Sequence, residues 1–153
     1  MNHNCRLLMV YHSQTGHTQA MVEAAARGAA GETALELRVL RASQAVVADL
    51  LWTDTLLLAT PENFGYMAGA LKDFFDRTFY PCQGLIQGLP YAVMVSAGND
   101  GRGAVAAIER IARGYPFKPV AEPLIARGEL TAEHLAECEQ LGAALAAGTL
   151  MGI

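Results

Sequence analysis

The stretch Leu7–Thr18, LLMVYHSQTGHT, decides the fold, because an apolar run changes within it into a short polar loop. Leu7–Tyr11 is continuously apolar, as expected for a strand in a sheet that helices cover on both faces. The loop after it holds three hydroxyl groups and Gly16. From Thr18 to Ala29, apolar residues recur at the spacing of one helix face. The stretch therefore predicts a buried strand, a loop at its carboxyl end and a helix.

Four more segments predict strands. Thr55–Thr60 and Tyr91–Ala97 are mainly apolar and predict two further central strands. In Ala34–Arg41 apolar residues alternate with charged ones, so one face of that strand is expected to meet water. Val120–Ala126 contains Pro123, which lacks the N–H group that a central strand donates. The last two segments are therefore predicted to be edge strands.

Stretches with helical periodicity lie between and after the strands. Four of them have an apolar face: Thr18–Ala29, Met67–Thr78, Val105–Ala112 and Leu135–Leu145. Gly31 and Gly114 are predicted to end the first and third of these helices, and Thr131 to cap the start of the last. A short helix is also predicted in Ser43–Trp52.

The alternation of strands and helices is typical of a doubly wound α/β domain. A length of 153 residues fits one domain, residues 1–153. With the two edge strands outside, the parallel five-stranded sheet has the order 2-1-3-4-5 and lies between two helical layers. In this order the chain reverses direction between strands 1 and 3, and ligands bind beyond the carboxyl ends of strands at such a point. The candidate site therefore comprises the loops after Tyr11, Thr60 and Ala97.

Composition argues against several classes of function. Lys plus Arg number 11 and Asp plus Glu 15, and the resulting net charge of -4 argues against nucleic acid or an anionic membrane as the main partner. The apolar runs are shorter than the ~20 residues that span a bilayer. Residues 1–6 lack the cationic start of a signal peptide, and three scattered cysteines suit reduced thiols, so we expect a cytoplasmic protein. The histidines lack metal-ligand spacing, so no metal site is expected.

The loop from Ser13 to Thr18 is predicted to bind an anion. Its hydroxyls, Gly16 and the unpaired N–H groups of the helix that follows suit a phosphate held by dipoles more than by fixed charge. The Gly-x-x-x-x-Gly-Lys pattern of nucleoside triphosphate hydrolases is absent. An alternative is that the hydroxyls only cap the helix.

The loop after Thr60 carries groups that suit a flat ring. Phe64 and Tyr66 could pack against the ring, while Asn63 and the backbone near Gly65 could meet its polar edge. The alternative is that these aromatic side chains cover the helix that follows.

The loop after Ala97 is rich in glycine, so its backbone could approach a ligand closely, although any tight turn could use the same residues. Arg102 could contact the ligand or be a solvated charge. Backbone N–H groups of the loops after Thr60 and Ala97, with Arg102, would favour negative charge on a bound ligand, whereas Glu62 and Asp100 would oppose it if they pointed inward.

Two segments resemble one superfamily. Leu8–Thr18 is similar to the phosphate-binding signature of flavodoxins. Thr60–Arg77 resembles the flavin-ring segment of the related NAD(P)H-dependent FMN reductases and quinone reductases. The similarity covers nearly the whole chain in order. It implies a flavodoxin-like three-layer sandwich with non-covalently bound FMN, whose N5 atom carries the chemistry, so that no side chain is assigned a catalytic role.

The resemblance also implies which residues bind the cofactor. The phosphate would lie against Ser13, Gln14, Thr15, Gly16, His17 and Thr18. The isoalloxazine ring would lie between Pro61, Glu62, Asn63, Phe64 and Gly65 on one side and Ala97, Gly98, Asn99, Asp100, Gly101 and Arg102 on the other.

Two departures from electron-carrying flavodoxins favour an enzyme. The loop Ala97–Gly103 has no aromatic residue, so one face of the ring is expected to be open to a nicotinamide or a quinone. The net charge is also less acidic than is typical of such carriers. We therefore expect an NAD(P)H-dependent oxidoreductase of the quinone or FMN reductase type, with a quinone-like acceptor or a redox protein as its partner. The alternative is a non-enzymatic electron carrier.

Other functions fit less well. A phosphoacceptor receiver domain has the same strand order but needs acidic residues where this chain has His12, Ser13 and Gln14. A low-molecular-weight tyrosine phosphatase needs an Arg six positions after a Cys, which the sequence lacks. A scaffold that uses the fold for protein contacts alone is a further alternative. Phe79–Leu89 could be an apolar surface for a homo-oligomer or an ordinary loop.

Overall fold

The computed structural model describes residues 4–153. Its strands are β1 (Cys5–Tyr11), β2 (Leu35–Arg41), β3 (Thr55–Asn63), β4 (Tyr66–Met67), β5 (Pro90–Ala97), β6 (Lys118–Pro119) and β7 (Leu124–Arg127). Its helices are α1 (His17–Ala29), α2 (Val47–Trp52), α3 (Gly69–Cys82), α4 (Arg102–Gly114) and α5 (Ala132–Met151). The predicted absence of a signal peptide concerns residues 1–6, and residues 1–3 lie outside the part of the chain that the structure describes.

The parallel strands are arranged in the order β2-β1-β3-β5-β6, and β7 also pairs with β5. Because β6 and β7 together correspond to the fifth predicted strand, this arrangement confirms the order 2-1-3-4-5. All eight residues of β5 are buried, whereas no residue of β2 is fully buried. The predicted division into central and edge strands is therefore confirmed as well.

The fifth strand is not continuous, and the prediction of one strand over Val120–Ala126 is wrong. β6 pairs with the start of β5, and β7 pairs with its end, Met94–Ala97. Pro119 and Pro123 bound the interruption, and neither has an N–H group to donate to the ladder.

The third strand is longer than predicted. It continues past Thr60 to Asn63, because β4 returns beside its last two residues in an antiparallel pairing. Met67, predicted on a helix face, therefore belongs to β4, and α3 begins at Gly69. The second loop of the candidate site is consequently a β-hairpin.

The predicted helix ends are close to those observed. Thr131 caps α5, since its Oγ1 accepts the N–H of His134 at 3.1 Å. The helix α4 ends at Gly114. The short helix α2 begins at Val47, four residues later than Ser43. Among residues 4–153, no helix is long and apolar enough to cross a bilayer.

The segment Phe79–Leu89 is partly helical, because α3 continues through Pro81 to Cys82. Tyr80 and Leu85 are exposed in this segment, whereas Cys82 and Leu89 are buried. The segment thus presents isolated apolar side chains next to buried ones.

Two apolar cores lie on the two faces of the sheet. Leu8 and Leu56 point to the core beneath α2, α3 and α4, whereas Leu7 and Leu57 point to the core beneath α1 and α5. This alternation follows from the two-residue period of a strand. The two cores hold β1, β3 and β5 rigidly, and with them the starts of the three loops at their carboxyl ends.

Candidate functional site

The loops that follow β1, β3 and β5 lie side by side, because these three strands are neighbours in the sheet. Every predicted site residue lies in these loops or next to them. Side-chain contacts join the loops and the elements beside them: Gln14 with Asn63, Glu62 with the start of α4, and Thr18 of α1 with Ser96 of β5. The three loops therefore form one connected surface.

The first loop (His12–Gly16) folds around the hydroxyl group of Ser13. Ser13 Oγ accepts hydrogen bonds from the N–H groups of Gly16 and Gln19, both at 3.2 Å. Ser13 therefore caps α1, as one interpretation of the sequence proposed. Because its oxygen accepts both bonds, its own hydrogen remains available for a further acceptor. Gly16 has a φ of +98°, a left-handed conformation that glycine adopts readily.

The start of α1 has open hydrogen-bond donors. Within residues 4–153, the backbone N–H groups of Thr15, His17 and Thr18 have no acceptor. Gln14, Thr15 and Gly16 are exposed, and His17 is half-buried. A helix N-terminus also carries a partial positive charge. Neutral donors, the helix dipole and solvent access together suit an anion.

Thr18 holds its hydroxyl group away from this surface. Its side chain is buried, and Oγ1 lies 2.8 Å from Ser96 Oγ on β5. The Thr18 hydroxyl therefore fastens α1 to β5, and its N–H group is the part that faces the first loop. Ser13 and Thr15 have hydroxyl groups closer to solvent.

The hairpin (Glu62–Met67) turns through Phe64 and Gly65. Their φ angles are +52° and +70°, the left-handed values that a two-residue type I′ turn requires. This conformation is strained for a phenylalanine and costs roughly 1 kcal/mol or more. Phe64 is 107% exposed, so the alternative that this residue covers the following helix, α3, is wrong. Tyr66 is 41% exposed.

Polar side chains fix the two sides of the hairpin. Asn63 Nδ2 donates to Gln14 Oε1 at 2.7 Å and joins the turn to the first loop. Thr60 Oγ1 accepts the N–H of Ala68 at 2.9 Å and closes the base of the hairpin. The strained Phe64 is therefore held at the tip of a constrained turn.

Glu62 contacts α4. Its Oε1 accepts the N–H of Gly101 at 2.9 Å, and its Oε2 accepts the N–H of Ala104 at 3.1 Å. Gly101 is the N-cap residue of α4 and offers no side chain to cap the helix. The half-buried carboxylate of Glu62 takes that role, and it also offsets the positive end of the helix dipole.

Glycines bring α4 close to the hairpin. A Cβ atom on Gly103 would lie 2.2 Å from the carbonyl oxygen of Gly65. Gly101 has a φ of +86°, and a Cβ there would meet Ile125 at 2.4 Å. Contacts within the protein therefore require glycine at these two positions, in agreement with the alternative that the glycines serve a tight turn.

The third loop (Gly98–Gly101) carries an exposed ion pair. Arg102 Nε lies 2.6 Å from Asp100 Oδ1, and Arg127 Nε donates to the backbone oxygen of Asp100 at 2.7 Å. The hydrogen bond from Arg102 lowers the pKa of Asp100 below its usual 3.8, and the same bond raises the pKa of Arg102. The charges of Asp100 and Arg102 largely offset each other as solvated groups.

The remaining predicted residues border the third loop. Pro61 lies opposite Ser96 in the β3–β5 pairing, and Ala97 is the buried last residue of β5. Gly98 and Asn99 are exposed, and a Cβ on Gly98 would meet no atom within 4 Å. This part of the loop has room for a ligand beside the backbone.

Three contacts of the site were not predicted from the sequence: the Gln14–Asn63 bond, the Thr18–Ser96 bond and the cap that Glu62 provides. The bond between Gln14 and Asn63 has no signal in the sequence, since 49 positions separate the two residues. The cap has a weak signal, because the residues before α4 place Gly101 where a helix usually has Ser, Thr, Asn or Asp.

Comparison with known proteins agrees with this architecture. The family model for NADPH-dependent FMN reductases matches residues 41–122, a range of 82 residues among 153 that includes the hairpin and the third loop. A protein of Aquifex aeolicus (strain VF5) described as a flavodoxin is 33% identical over 98 residues, which are 64% of this chain and 53% of that protein.

Two further similarities concern a quinone reductase and a solved flavodoxin. An NAD(P)H dehydrogenase (quinone) of Acidithiobacillus ferrooxidans (strain ATCC 53993 / BNL-5-31) is 31% identical over 93 residues, which are 48% of this chain and 46% of that protein. The chain thus spans about half the length of these two relatives. The structure of a flavodoxin from the domain Archaea superposes with a TM-score of 0.84 at 22% identity, covering 95% of this chain and 99% of that one.

The superposition agrees with the order of the sheet and with its two helical layers. The family match extends over more than half of the chain. The chain therefore has a flavodoxin-like fold and belongs to the NADPH-dependent FMN reductase family.

Proposed function

We propose that the chain binds FMN at the carboxyl edge of its sheet and is an NAD(P)H-dependent oxidoreductase with a quinone-like acceptor. The observation that carries the proposal is the set of open N–H donors at the start of α1, next to an exposed hairpin tip. The family match and the quinone dehydrogenase relative support the same activity.

The first loop fits the phosphate end of FMN. Its donors are the N–H groups of Thr15, His17 and Thr18 and the free hydrogen of Ser13. A phosphate carries close to two negative charges at neutral pH, which these donors and the helix dipole favour. Arg41 lies beside α1 but is engaged, because its Nη2 donates to Gln19 Oε1 at 3.1 Å and its guanidinium lies over Tyr11. We therefore assign phosphate binding to neutral groups.

The hairpin and the third loop fit the ring end. Phe64 and Tyr66 expose aromatic surface, while Gly98 and Asn99 offer exposed backbone on the other side. Because the third loop has no aromatic residue, one ring face stays accessible to a second flat molecule. That access favours an enzyme over a carrier that shields its cofactor between two aromatic side chains.

Bound FMN would supply the redox chemistry between NAD(P)H and the acceptor. The chain's own residues bind and orient the ligand. The first loop anchors one end of the ligand, and the rigid hairpin holds the aromatic side chains at a fixed height above the sheet. Glu62 points to α4, so its negative charge is already paired with backbone donors. The charge of Arg102 is offset by Asp100, which leaves backbone N–H groups to favour negative charge near the ring.

We also propose a reducing compartment, the cytoplasm, for this protein. Cys5, Cys82 and Cys138 are all free thiols, and the last two are buried. Free thiols persist where glutathione and thioredoxin keep them reduced.

We further propose that the segment Phe79–Leu89 is a contact between two copies of the chain. Within this segment Tyr80 and Leu85 expose apolar surface.

A second candidate, a non-enzymatic electron carrier with the same cofactor, is favoured by the relative described as a flavodoxin. The two candidates differ in one property, which is whether NAD(P)H reduces the bound cofactor directly.

The proposal is tested in two steps. Titration of the purified protein with FMN is expected to quench flavin fluorescence and shift the visible absorption band. Rapid mixing of the complex with excess NADPH is then expected to bleach that band, and a quinone is expected to restore it. A protein that leaves flavin fluorescence unchanged refutes the cofactor assignment. A complex that binds FMN and stays oxidised in NADPH refutes the enzyme and leaves the carrier.

A further inference from the structure

Glu62 lies between the two parts of the surface assigned to the ring. Glu62 is the next-to-last residue of β3, at the base of the hairpin, and its carboxylate contacts the start of α4. Both oxygens are used, one by the N–H of Gly101 at 2.9 Å and the other by the N–H of Ala104 at 3.1 Å. A single side chain therefore connects the hairpin to the third loop.

Close packing reinforces this connection. Gly103 lies directly under the hairpin, where a Cβ atom would come within 2.2 Å of the Gly65 oxygen. Two independent features thus set the distance between the hairpin turn and α4. One is the carboxylate of Glu62, which caps the helix, and the other is the lack of a side chain at Gly103. A charge-assisted bond to backbone N–H groups is among the stronger hydrogen bonds in proteins.

We infer that Glu62 is a positioning residue that sets the width of the ring site by coupling the hairpin to the third loop, and this inference rests on the proposed function. Glu62 acts through Gly101 and Ala104 and does not itself touch the ring. Its carboxylate accepts the N–H groups of Gly101 and Ala104 at the start of α4, whereas those of Thr15, His17 and Thr18 at the start of α1 have no acceptor within residues 4–153.

The two variants that test this inference differ in one contact. Glu62→Gln keeps the size of the side chain, but its NH2 group faces a backbone N–H that needs an acceptor. Glu129→Gln makes the same change at an exposed carboxylate after β7, which is not bonded to the N–H of Gly101 or Ala104. A difference between the variants therefore reports the contact and not the charge.

The first measurement is amide hydrogen exchange on the protein without ligand. In Glu62→Gln, exchange at Gly101 and Ala104 is expected to rise about tenfold, the effect of losing one charged hydrogen bond. In Glu129→Gln the exchange at Gly101 and Ala104 is expected to stay near the wild-type rate. Unchanged exchange in Glu62→Gln overturns the inference.

The second measurement separates the ring from the phosphate. In Glu62→Gln, riboflavin affinity is expected to fall about tenfold and the visible circular dichroism of bound FMN to weaken at saturation. The affinity for inorganic phosphate, followed by the amide shifts of Thr15 and His17, is expected to stay within about twofold, since the first loop is intact. A variant with faster exchange but wild-type riboflavin affinity and dichroism overturns positioning and leaves a helix cap.

Failure of the proposed function gives a different result. A wild-type protein that binds neither FMN nor riboflavin refutes that function and the ligand part of this inference together, while the exchange rates still decide whether the loops are coupled. If Glu62→Gln does not fold, Gly103→Ala replaces it, because it pushes the hairpin off α4 with Glu62 intact. The same loss of riboflavin affinity is expected there, and wild-type affinity overturns the inference.

Discussion

The first loop and the hairpin lie at the same edge of the sheet but use their polar groups in opposite ways. In the first loop, the N–H groups of Thr15, His17 and Thr18 have no acceptor within residues 4–153. In the hairpin, both oxygens of Glu62 and the amide of Asn63 are bonded to other parts of the chain. The first region thus keeps donors that suit an anion, whereas the polar groups of the second hold the hairpin against the first loop and α4.

The same contrast holds for the glycines of the two regions. Gly16 has a left-handed φ and open space around it. A side chain at this position is therefore opposed by the backbone conformation and not by a lack of space. Gly103 has no such φ, but it is packed against the backbone of Gly65. Substitutions at the two positions should therefore fail for different physical reasons, and the following predictions use such differences.

The largest effect is expected for Gly16→Val. A β-branched residue is strongly disfavoured at a φ of +98°. The backbone of the first loop should therefore change its conformation, and its N–H groups should no longer point toward one ligand. We expect FMN affinity to fall about a hundredfold, corresponding to about 3 kcal/mol of strain and lost contacts. Fluorescence titration measures the change.

Gly69→Ala is the matched control for that variant. Gly69 begins α3, has no positive φ, and would place its Cβ in open space. Its FMN affinity should stay at the wild-type value. A Gly16→Val protein that binds FMN as tightly as this control would show that the first loop does not hold the ligand.

A smaller loss is expected for Ser13→Ala. The change removes the acceptor for two N–H groups and the hydroxyl that is free to donate. We expect FMN affinity to fall about tenfold, because lost hydrogen bonds of this kind contribute about 1 to 2 kcal/mol. Riboflavin, which lacks the phosphate, should bind Ser13→Ala and wild type alike. An equal loss for both flavins would place the ring, and not the phosphate, next to Ser13.

The hairpin is expected to respond to Phe64→Asn in two opposite directions. Asparagine before glycine is the preferred pair of a type I′ turn, so the free energy of unfolding should rise by about 1 kcal/mol. Riboflavin affinity should fall, because the aromatic surface at the tip is lost. Phe64→Ala, which lacks asparagine's preference for this turn, should lose the same affinity without the full gain in stability. Chemical denaturation and fluorescence titration measure the two effects.

The smallest effect concerns the ion pair of the third loop. Arg102 lowers the pKa of Asp100 in the folded state. The ion pair therefore stabilises the folded state at pH values above the usual pKa of 3.8, and this stabilisation is lost as the pH falls through the lowered pKa. An NMR titration of the Asp100 carboxyl carbon should show that low pKa, and Arg102→Gln should return it toward 3.8. Both groups are exposed, so we expect little change in stability. An ordinary pKa in the wild-type protein would argue against the pair.

Much of the fold was predictable because burial on both faces marks the central strands. Leu7–Tyr11 and Tyr91–Ala97 lack the alternation of edge strands, and the alternating Leu35–Arg41 lies at an edge. The interruption of the last strand was not predicted. A proline such as Pro123 indicates an edge, but it does not tell where the strand breaks.

The site was predictable as a set of loops but not as a set of contacts. Strand order brings the segments after Tyr11 and Ala97 to one edge, and that order follows from the burial of the strands. The direction of Glu62 depends on a backbone donor 39 positions away, and that of the Thr18 hydroxyl on Ser96, 78 positions away. Pairings over such distances leave no periodic pattern in a single sequence.

The assignment of the three loops to FMN is tested most sharply by following the backbone amides of the wild-type protein by NMR as FMN or inorganic phosphate is added. We expect both ligands to shift the amide signals of Thr15, His17 and Thr18, and FMN alone to shift those of Gly65, Gly98 and Asn99. The amides of Gly101 and Ala104 are expected to stay protected from exchange. If FMN shifts no amide signal, or shifts mainly signals outside the three loops, the assignment is wrong.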